Sequence, residues 1–218
     1  RLLSRECAYI PFVRGNHNQL IPFISTRGDL VASARKRRII ILGCTGSIGT
    51  TALNGLSSYR EYFEIVGLSA HVDFEKLLKI AHEWKVRNIC LSLPQIDLNT
   101  LQMHSINHKL FTGAQGLVDM IDNTEADIVL NGIAGSAGLL PTFHALESGK
   151  DVALANKESI VMAGEILFST ARRVGKNIFP VDSEPSALYH LIHAQGRQSV
   201  DTLDRKSTRL NSSHGKLS

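Results

Sequence analysis

Between residues 38 and 181 the chain alternates short apolar runs with longer stretches whose apolar residues recur at helical spacing. Arg38-Ile39-Ile40-Ile41-Leu42-Gly43 places four apolar residues in a row and ends in glycine, as a strand covered on both faces does. A helix is expected over residues 47–56, then a strand over 63–68. Residues 74–84 carry Phe74, Leu77, Leu78 and Ala81 on one helical face. A third strand is expected at 88–91, a helix at 98–103, a short strand at 109–111 and a helix at 114–121. Strands at 127–131, 151–154 and 177–181 then alternate with helices at 139–148 and 159–174. Strands separated by helices imply βαβ units and an α/β fold built on a doubly wound parallel sheet. Ligands of such sheets bind at the carboxyl ends of the strands. Gly43, Asn131, Asn156 and Asp182 each follow a strand, which gathers the polar motifs on one edge.

At 218 residues the chain holds one domain, or one domain and part of a second. No apolar run approaches the roughly 20 residues of a membrane span, so no membrane contact is expected. The formal net charge is +4, unevenly placed. Residues 1–38 hold eight Lys/Arg against Glu6 and Asp29, whereas residues 39–203 hold twelve basic and seventeen acidic side chains, net −5. The basicity belongs to the ends, which argues against a nucleic-acid partner. Residues 1–38 show no sustained period and are expected to be a basic leader, disordered or non-native: a transit-like segment, an upstream extension or translated non-coding sequence. Residues 204–218, DRKSTRLNSSHGKLS, are polar and unpatterned. They resemble translated sequencing-adapter sequence and are expected to be an artefactual tail. Cys7, Cys44 and Cys90 lie far apart without a C-x-x-C pair, so neither a disulfide framework nor a zinc knuckle is expected. His104 and His108 share i,i+4 spacing but lack an acidic or cysteine partner nearby, and read as solvated surface.

The strongest chemical motif is Gly43-Cys44-Thr45-Gly46-Ser47-Ile48-Gly49, between the first strand and helix. Gly43 allows a sharp exit from the strand, Gly46 lets a pyrophosphate approach the backbone, and Gly49 lets the helix pack closely. Thr45 and Ser47 add hydroxyl donors. This is a Rossmann-like arrangement favouring a dinucleotide. Near the end of the second strand, Ser69-Ala70-His71-Val72-Asp73 leaves cofactor choice open: His71 can serve either cofactor, and Asp73 reads best as the cap of the next helix. Asn131-Gly132-Ile133-Ala134-Gly135-Ser136-Ala137-Gly138 is a second Gly-rich turn, either beside a nicotinamide or simply a tight connection.

Two further strings carry ionisable groups. In LANKES (154–159), Lys157 can bind a carbonyl or hydroxyl that develops charge, while Glu158 can hold the lysine or cap the helix. In PVDSE (180–184), Asp182 and Glu184 lie on the same side of the chain, as hard cations such as Mg²⁺ or Mn²⁺ require. A surface lysine and a helix-capping aspartate are the plain alternatives.

In this order and spacing, GCTGSIG, Ser136-Ala137-Gly138-Leu139-Leu140-Pro141-Thr142, LANKES and PVDSE resemble the 1-deoxy-D-xylulose 5-phosphate reductoisomerase family, from about Arg38 to about Leu191. The resemblance implies an NADPH- and divalent-metal-dependent enzyme of non-mevalonate isoprenoid biosynthesis. It would convert 1-deoxy-D-xylulose 5-phosphate, a small phosphosugar, to 2-C-methyl-D-erythritol 4-phosphate. It implies cofactor contacts at Thr45, Gly46, Ser47, Ile48, Asn156 and Glu158, and substrate contacts at Lys157, Ser183 and Glu184. Lys157 and Glu184 would be catalytic, and Asp182 and Glu184 would hold the metal. It also implies an NADP-binding domain over residues 39–155 and the start of a truncated catalytic domain over 156–203. A homodimer is implied at full length, in a bacterial cytoplasm, or in a plastid if the leader is a genuine transit peptide. Two positions depart from the family pattern: Pro185 replaces a histidine, and His71-Val72-Asp73 replaces a segment commonly Gly-Lys-Asn. The third carboxylate ligand, the phosphate-binding residues, the lid and the C-terminal helical domain have no counterpart in residues 192–218. The chain alone is therefore expected to bind NADPH weakly without turnover. A different Rossmann-type dehydrogenase and a non-catalytic nucleotide-binding module are the competing readings.

Overall fold

The structure is a computed structural model and describes residues 35–94, 107–181 and Tyr189. Among them, β1 (Arg37–Leu42), β2 (Phe63–Ala70), β3 (Asn88–Leu91), β4 (Lys109–Thr112), β5 (Ile128–Asn131), β6 (Asp151–Leu154) and β7 (Ile178–Pro180) form one sheet. Every pairing is parallel and the order is β4-β3-β2-β1-β5-β6-β7. The helices are α1 (Ser47–Ser57), α2 (Phe74–Trp84), α3 (Gly113–Asn123), α4 (Leu139–Glu147) and α5 (Lys157–Val174). A 3₁₀ turn, Ser136–Gly138, leads into α4.

The four consecutive apolar residues of β1 are explained by cover on both faces. Ile39 and Ile41 pack with Leu53 and Leu56 of α1 and with Leu77 and Ala81 of α2. Ile40 and Leu42 face the other way, onto Leu117 and Ile121 of α3, Leu146 of α4 and Leu167 of α5. Each of the four apolar side chains, once fully buried, contributes about 1.5–3 kcal/mol, and an unpaired polar residue in its place would instead be buried at a cost.

The local signals set the helix ends. The Asp73 carboxylate accepts the Lys76 N–H at 3.0 Å and starts α2, the capping role expected of it. Asn156 caps α5 in the same way, so this helix begins at Lys157, two residues earlier than its apolar spacing suggests. Gly175 ends α5 at φ 64 in the left-handed region.

One boundary falls elsewhere than expected. β1 begins at Arg37, inside the supposed leader, because Asp127 ties this stretch to the sheet. Its carboxylate accepts the Arg38 N–H at 2.8 Å and two hydrogen bonds from the Arg35 guanidinium at 2.7 and 3.1 Å. Downstream, α5 packs on this sheet and β7 extends it. Leu167 and Ala171 lie in the core, and β7 pairs with β6 along Val152 to Leu154. The helix expected at 98–103 lies outside the described residues. No helix among the described residues is long and apolar enough to cross a membrane.

Candidate functional site

β1 lies between β2 and β5, so its carboxyl end is the point where the strand order reverses. That is where an open α/β sheet forms its ligand crevice. Gly43 leaves β1 at φ +74, a conformation that favours glycine. Its N–H donates to the Ser69 hydroxyl at 3.1 Å, and the Cys44 N–H donates to the Ser69 carbonyl at 2.8 Å. From α2, the Lys76 ammonium donates to the Thr45 carbonyl at 2.7 Å. The turn is thus held from the β2 side at three points.

The glycines divide the work. A Cβ on Gly49 would lie 2.4 Å from the Gly43 carbonyl oxygen and 2.5 Å from Cys44 Cα, so α1 seats on the turn only through glycine. A Cβ on Gly46 would meet just the Gly43 carbonyl oxygen, at an ordinary 3.4 Å. Nothing in the fold demands glycine there, and the space above it is open. Gly46 caps α1 without a side-chain bond, and the first turn of α1 holds no acid. Gly46, Ser47 and Ile48 are exposed and Thr45 is half-buried. An uncapped, uncompensated helix start reached by a bare backbone suits a phosphate group.

The second turn faces the first. A Cβ on Gly43 would stand 3.2 Å from the Gly132 carbonyl oxygen, and one on Gly132 would stand 3.3 Å from Ile48 Cβ. Asn131 is fully buried. Its amide donates to the Gly138 carbonyl and to Thr142 Oγ1, both at 2.8 Å, while its oxygen accepts the Ile133 N–H at 3.0 Å. Asn156 holds the same turn from β6. Its amide donates to the carbonyls of Ile133 at 2.5 Å and Gly135 at 2.7 Å, and its oxygen accepts the Ser159 N–H at 2.6 Å. The Asn156 side chain is therefore committed to protein groups. It shapes the turn.

Lys157 is exposed at the first position of α5, with Glu158 half-buried beside it. A lysine there faces the positive end of the helix dipole and contributes nothing to helix stability. The capping alternative for Glu158 falls away, since Asn156 is the cap. The Val181 N–H donates to the Leu154 carbonyl at 3.0 Å, which carries the chain along the same sheet edge toward Asp182. Asp182, Ser183, Glu184 and Pro185 lie outside the described residues. Among the described residues no three His, Cys, Asp or Glu side chains gather as a metal would need. His108 is not free surface, because its Nδ1 lies 2.8 Å from the Val86 carbonyl oxygen.

Sequence reading gave no role of their own to Ser69, Lys76 and Thr142. Ser69 carried a signal, being a polar residue in the run Val66 to Ala70 that is otherwise apolar or glycine. Lys76 and Thr142 carried none, since each acts on a turn remote from it in the chain or through its hydroxyl alone.

The switch point, the two facing glycine turns and the all-parallel sheet define a doubly wound α/β protein of the Rossmann type. The chain belongs to the 1-deoxy-D-xylulose 5-phosphate reductoisomerase family, whose model matches residues 39–164. It is 37% identical over 165 residues to 1-deoxy-D-xylulose 5-phosphate reductoisomerase 1 of Bacillus thuringiensis subsp. konkukian, covering 76% of this chain and 43% of that protein. It is also 37% identical over 172 residues to the reductoisomerase of Clostridium perfringens strain 13, covering 77% and 44%. The chain thus spans less than half the length of these curated relatives. Among solved structures, the Zymomonas mobilis reductoisomerase in complex with NADPH superposes with a TM-score of 0.67 at 32% identity. That match covers 72% of this chain and 41% of the other. A DOX-P reductoisomerase in complex with NADPH, fosmidomycin and magnesium superposes with the same score and identity, covering 75% and 42%.

Proposed function

We propose that this chain is the nucleotide-binding portion of an NADPH- and divalent-metal-dependent reductoisomerase. The reaction is the conversion of 1-deoxy-D-xylulose 5-phosphate to 2-C-methyl-D-erythritol 4-phosphate in isoprenoid biosynthesis. The observation that carries the reading is Gly46: a glycine that no packing requires, exposed at an uncapped helix start, opposite a second glycine turn. The related structures solved with NADPH and magnesium support it.

In this reading Thr45, Gly46, Ser47 and Ile48 receive the pyrophosphate, and Asn156 acts indirectly by holding residues 133–135 as the wall beside the nicotinamide. Glu158, in the first turn of α5, contacts the cofactor. Lys157 is the exposed cation that binds substrate where negative charge develops. Asp182 and Glu184 hold the metal, with Ser183 and Glu184 toward the substrate. When bound, NADPH would supply the hydride and the divalent metal would stabilise developing negative charge. The domain plan follows the same proposal, with a nucleotide domain that includes α5 and β7 and a catalytic region that follows. The protein at full length is a homodimer, placed in a bacterial cytoplasm or, behind a genuine transit peptide, in a plastid.

The 218 residues bind NADPH without completing the reaction. Calorimetric titration of the chain with NADPH tests this and is expected to show saturable binding. No binding at millimolar nucleotide would reject the reading of the glycine turns. Turnover of the phosphosugar by this chain alone would reject the division of labour.

A further inference from the structure

The segment after the second strand of a Rossmann sheet meets the adenosine ribose of a dinucleotide, and a 2′-phosphate there calls for basic or amide groups. The loop in this chain offers little of either. Val72 is apolar and exposed, and Asp73 brings a carboxylate, one oxygen of which already caps α2. The exposed His71 ring has its Nδ1 3.0 Å from Ser92 Oγ, on the segment that follows β3.

Lys76 supplies what the loop lacks. It sits in the first turn of α2, where a positive charge opposes the helix dipole, so it is not there for the helix. Its side chain turns back across the loop and donates to the Thr45 carbonyl at 2.7 Å. An ammonium has three N–H donors, and no other hydrogen bond or ion pair of this one forms among the described residues.

Building on the nucleotide reading above, we propose that Lys76 is the specificity-determining cation of this cleft. Held over the β1–α1 turn by the Thr45 carbonyl, it presents its remaining donors to the 2′-phosphate of NADPH, in place of a basic residue in the loop. Asp73 works against it, so the preference for NADPH is the difference between a cation on α2 and a carboxylate at its cap.

The test is direct titration of the 218-residue chain and of Lys76→Met, Lys76→Arg and Asp73→Asn with NADPH and with NADH. Lys76→Met is expected to weaken NADPH about tenfold, the size of one lost charge-assisted hydrogen bond, and to change NADH less than about twofold. Lys76→Arg keeps the preference. Asp73→Asn, whose amide oxygen still caps α2, tightens NADPH and leaves NADH unchanged. Equal loss of both nucleotides in Lys76→Met would overturn the proposal, because Lys76 would then act only by supporting the turn or touching the pyrophosphate. Unchanged NADPH affinity would overturn it too. A wild-type chain that binds neither nucleotide rejects the nucleotide reading itself, and this assignment with it. Mass-mapped acylation of the wild-type chain gives a readout independent of variant folding. NADPH and not NADH should shield Lys76, and equal shielding by both would count against it.

Discussion

Gly138 and Asn156 contend for the same space: a Cβ built on Gly138 would lie 2.7 Å from the Asn156 amide nitrogen. That amide binds the Ile133 and Gly135 carbonyls, while its oxygen starts α5 at Ser159. One buried side chain therefore latches the second glycine turn and sets the start of the helix that presents Lys157. Gly138→Ala should push the amide off the turn. Overpacking of this kind costs typically about 1–3 kcal/mol, and thermal melts should show it. NADPH affinity should fall further than the stability loss explains. Unchanged melting and binding would mean that the amide is not the latch.

The last two glycines of the first turn should separate folding from binding. Gly49→Ala puts a methyl against backbone at 2.4–2.5 Å, where no flexible side chain can give way. It should cost several kcal/mol, at the severe end for a single substitution, and leave little soluble folded chain. Gly46→Ala fills open space at an N-cap, where the change costs at most about 1 kcal/mol. Its melting point should stay near wild type while NADPH affinity falls about tenfold or more. Normal NADPH binding by Gly46→Ala would remove the observation on which the proposed function rests.

What was legible in the sequence and what was not divides by the range of the interaction. Ile39 to Leu42 had to be a doubly covered strand, because four apolar residues in a row leave no face for water. Asp73 was legible as a cap because it precedes the apolar spacing of α2 directly. The glycines of GCTGSIG announced a turn, and the strand alternation put it at the switch point. The partners of that turn were not legible. Lys76 reaches Thr45 across 31 residues, and Arg35 reaches Asp127 across 92. No local pattern records such side-chain contacts, so Arg35 and Arg37 read as part of a basic leader. Asn156 was legible as polar and well placed, yet its burial against Ile133 and Gly135 depends on a turn 21 to 23 residues away.

Asp127 should leave a signature in acid. Burial raises its pKa, but the Arg38 N–H and then the Arg35 guanidinium outweigh that and hold it below its ordinary 3.8. A carboxylate depressed in the folded state contributes stability fully present above the unfolded value. That contribution is lost as pH falls from near 3.8 through the lower folded value. Asp127→Asn should therefore cost about 1 kcal/mol at pH 7, the scale of a partly exposed charged hydrogen bond. The gap between variant and wild type should close in acid. Denaturant midpoints at several pH values measure this, and a gap independent of pH would assign the loss to packing alone.

Cys44 lies inside the nucleotide turn, and its thiol should nonetheless be inert. Burial pushes it up to about 12, and burial does the same for Cys90. Both side chains are fully buried, so the thiolate that reacts with an alkylating agent is scarce and shielded. At pH 8 the native chain treated with iodoacetamide should yield unmodified peptides around both residues by mass mapping. In denaturant both should alkylate within minutes, since an exposed thiol near 8.5 is substantially ionised there. Added NADPH gives the more telling comparison. Cys44 is the residue whose neighbours Thr45 and Gly46 would carry the pyrophosphate, so local opening of this turn should become rarer when nucleotide is bound. Slow labelling of Cys44 should fall with NADPH while that of Cys90, on β3, changes less. Rapid native labelling of Cys44, insensitive to NADPH, would mean that the turn is open in solution and is not held by Ser69 and Lys76.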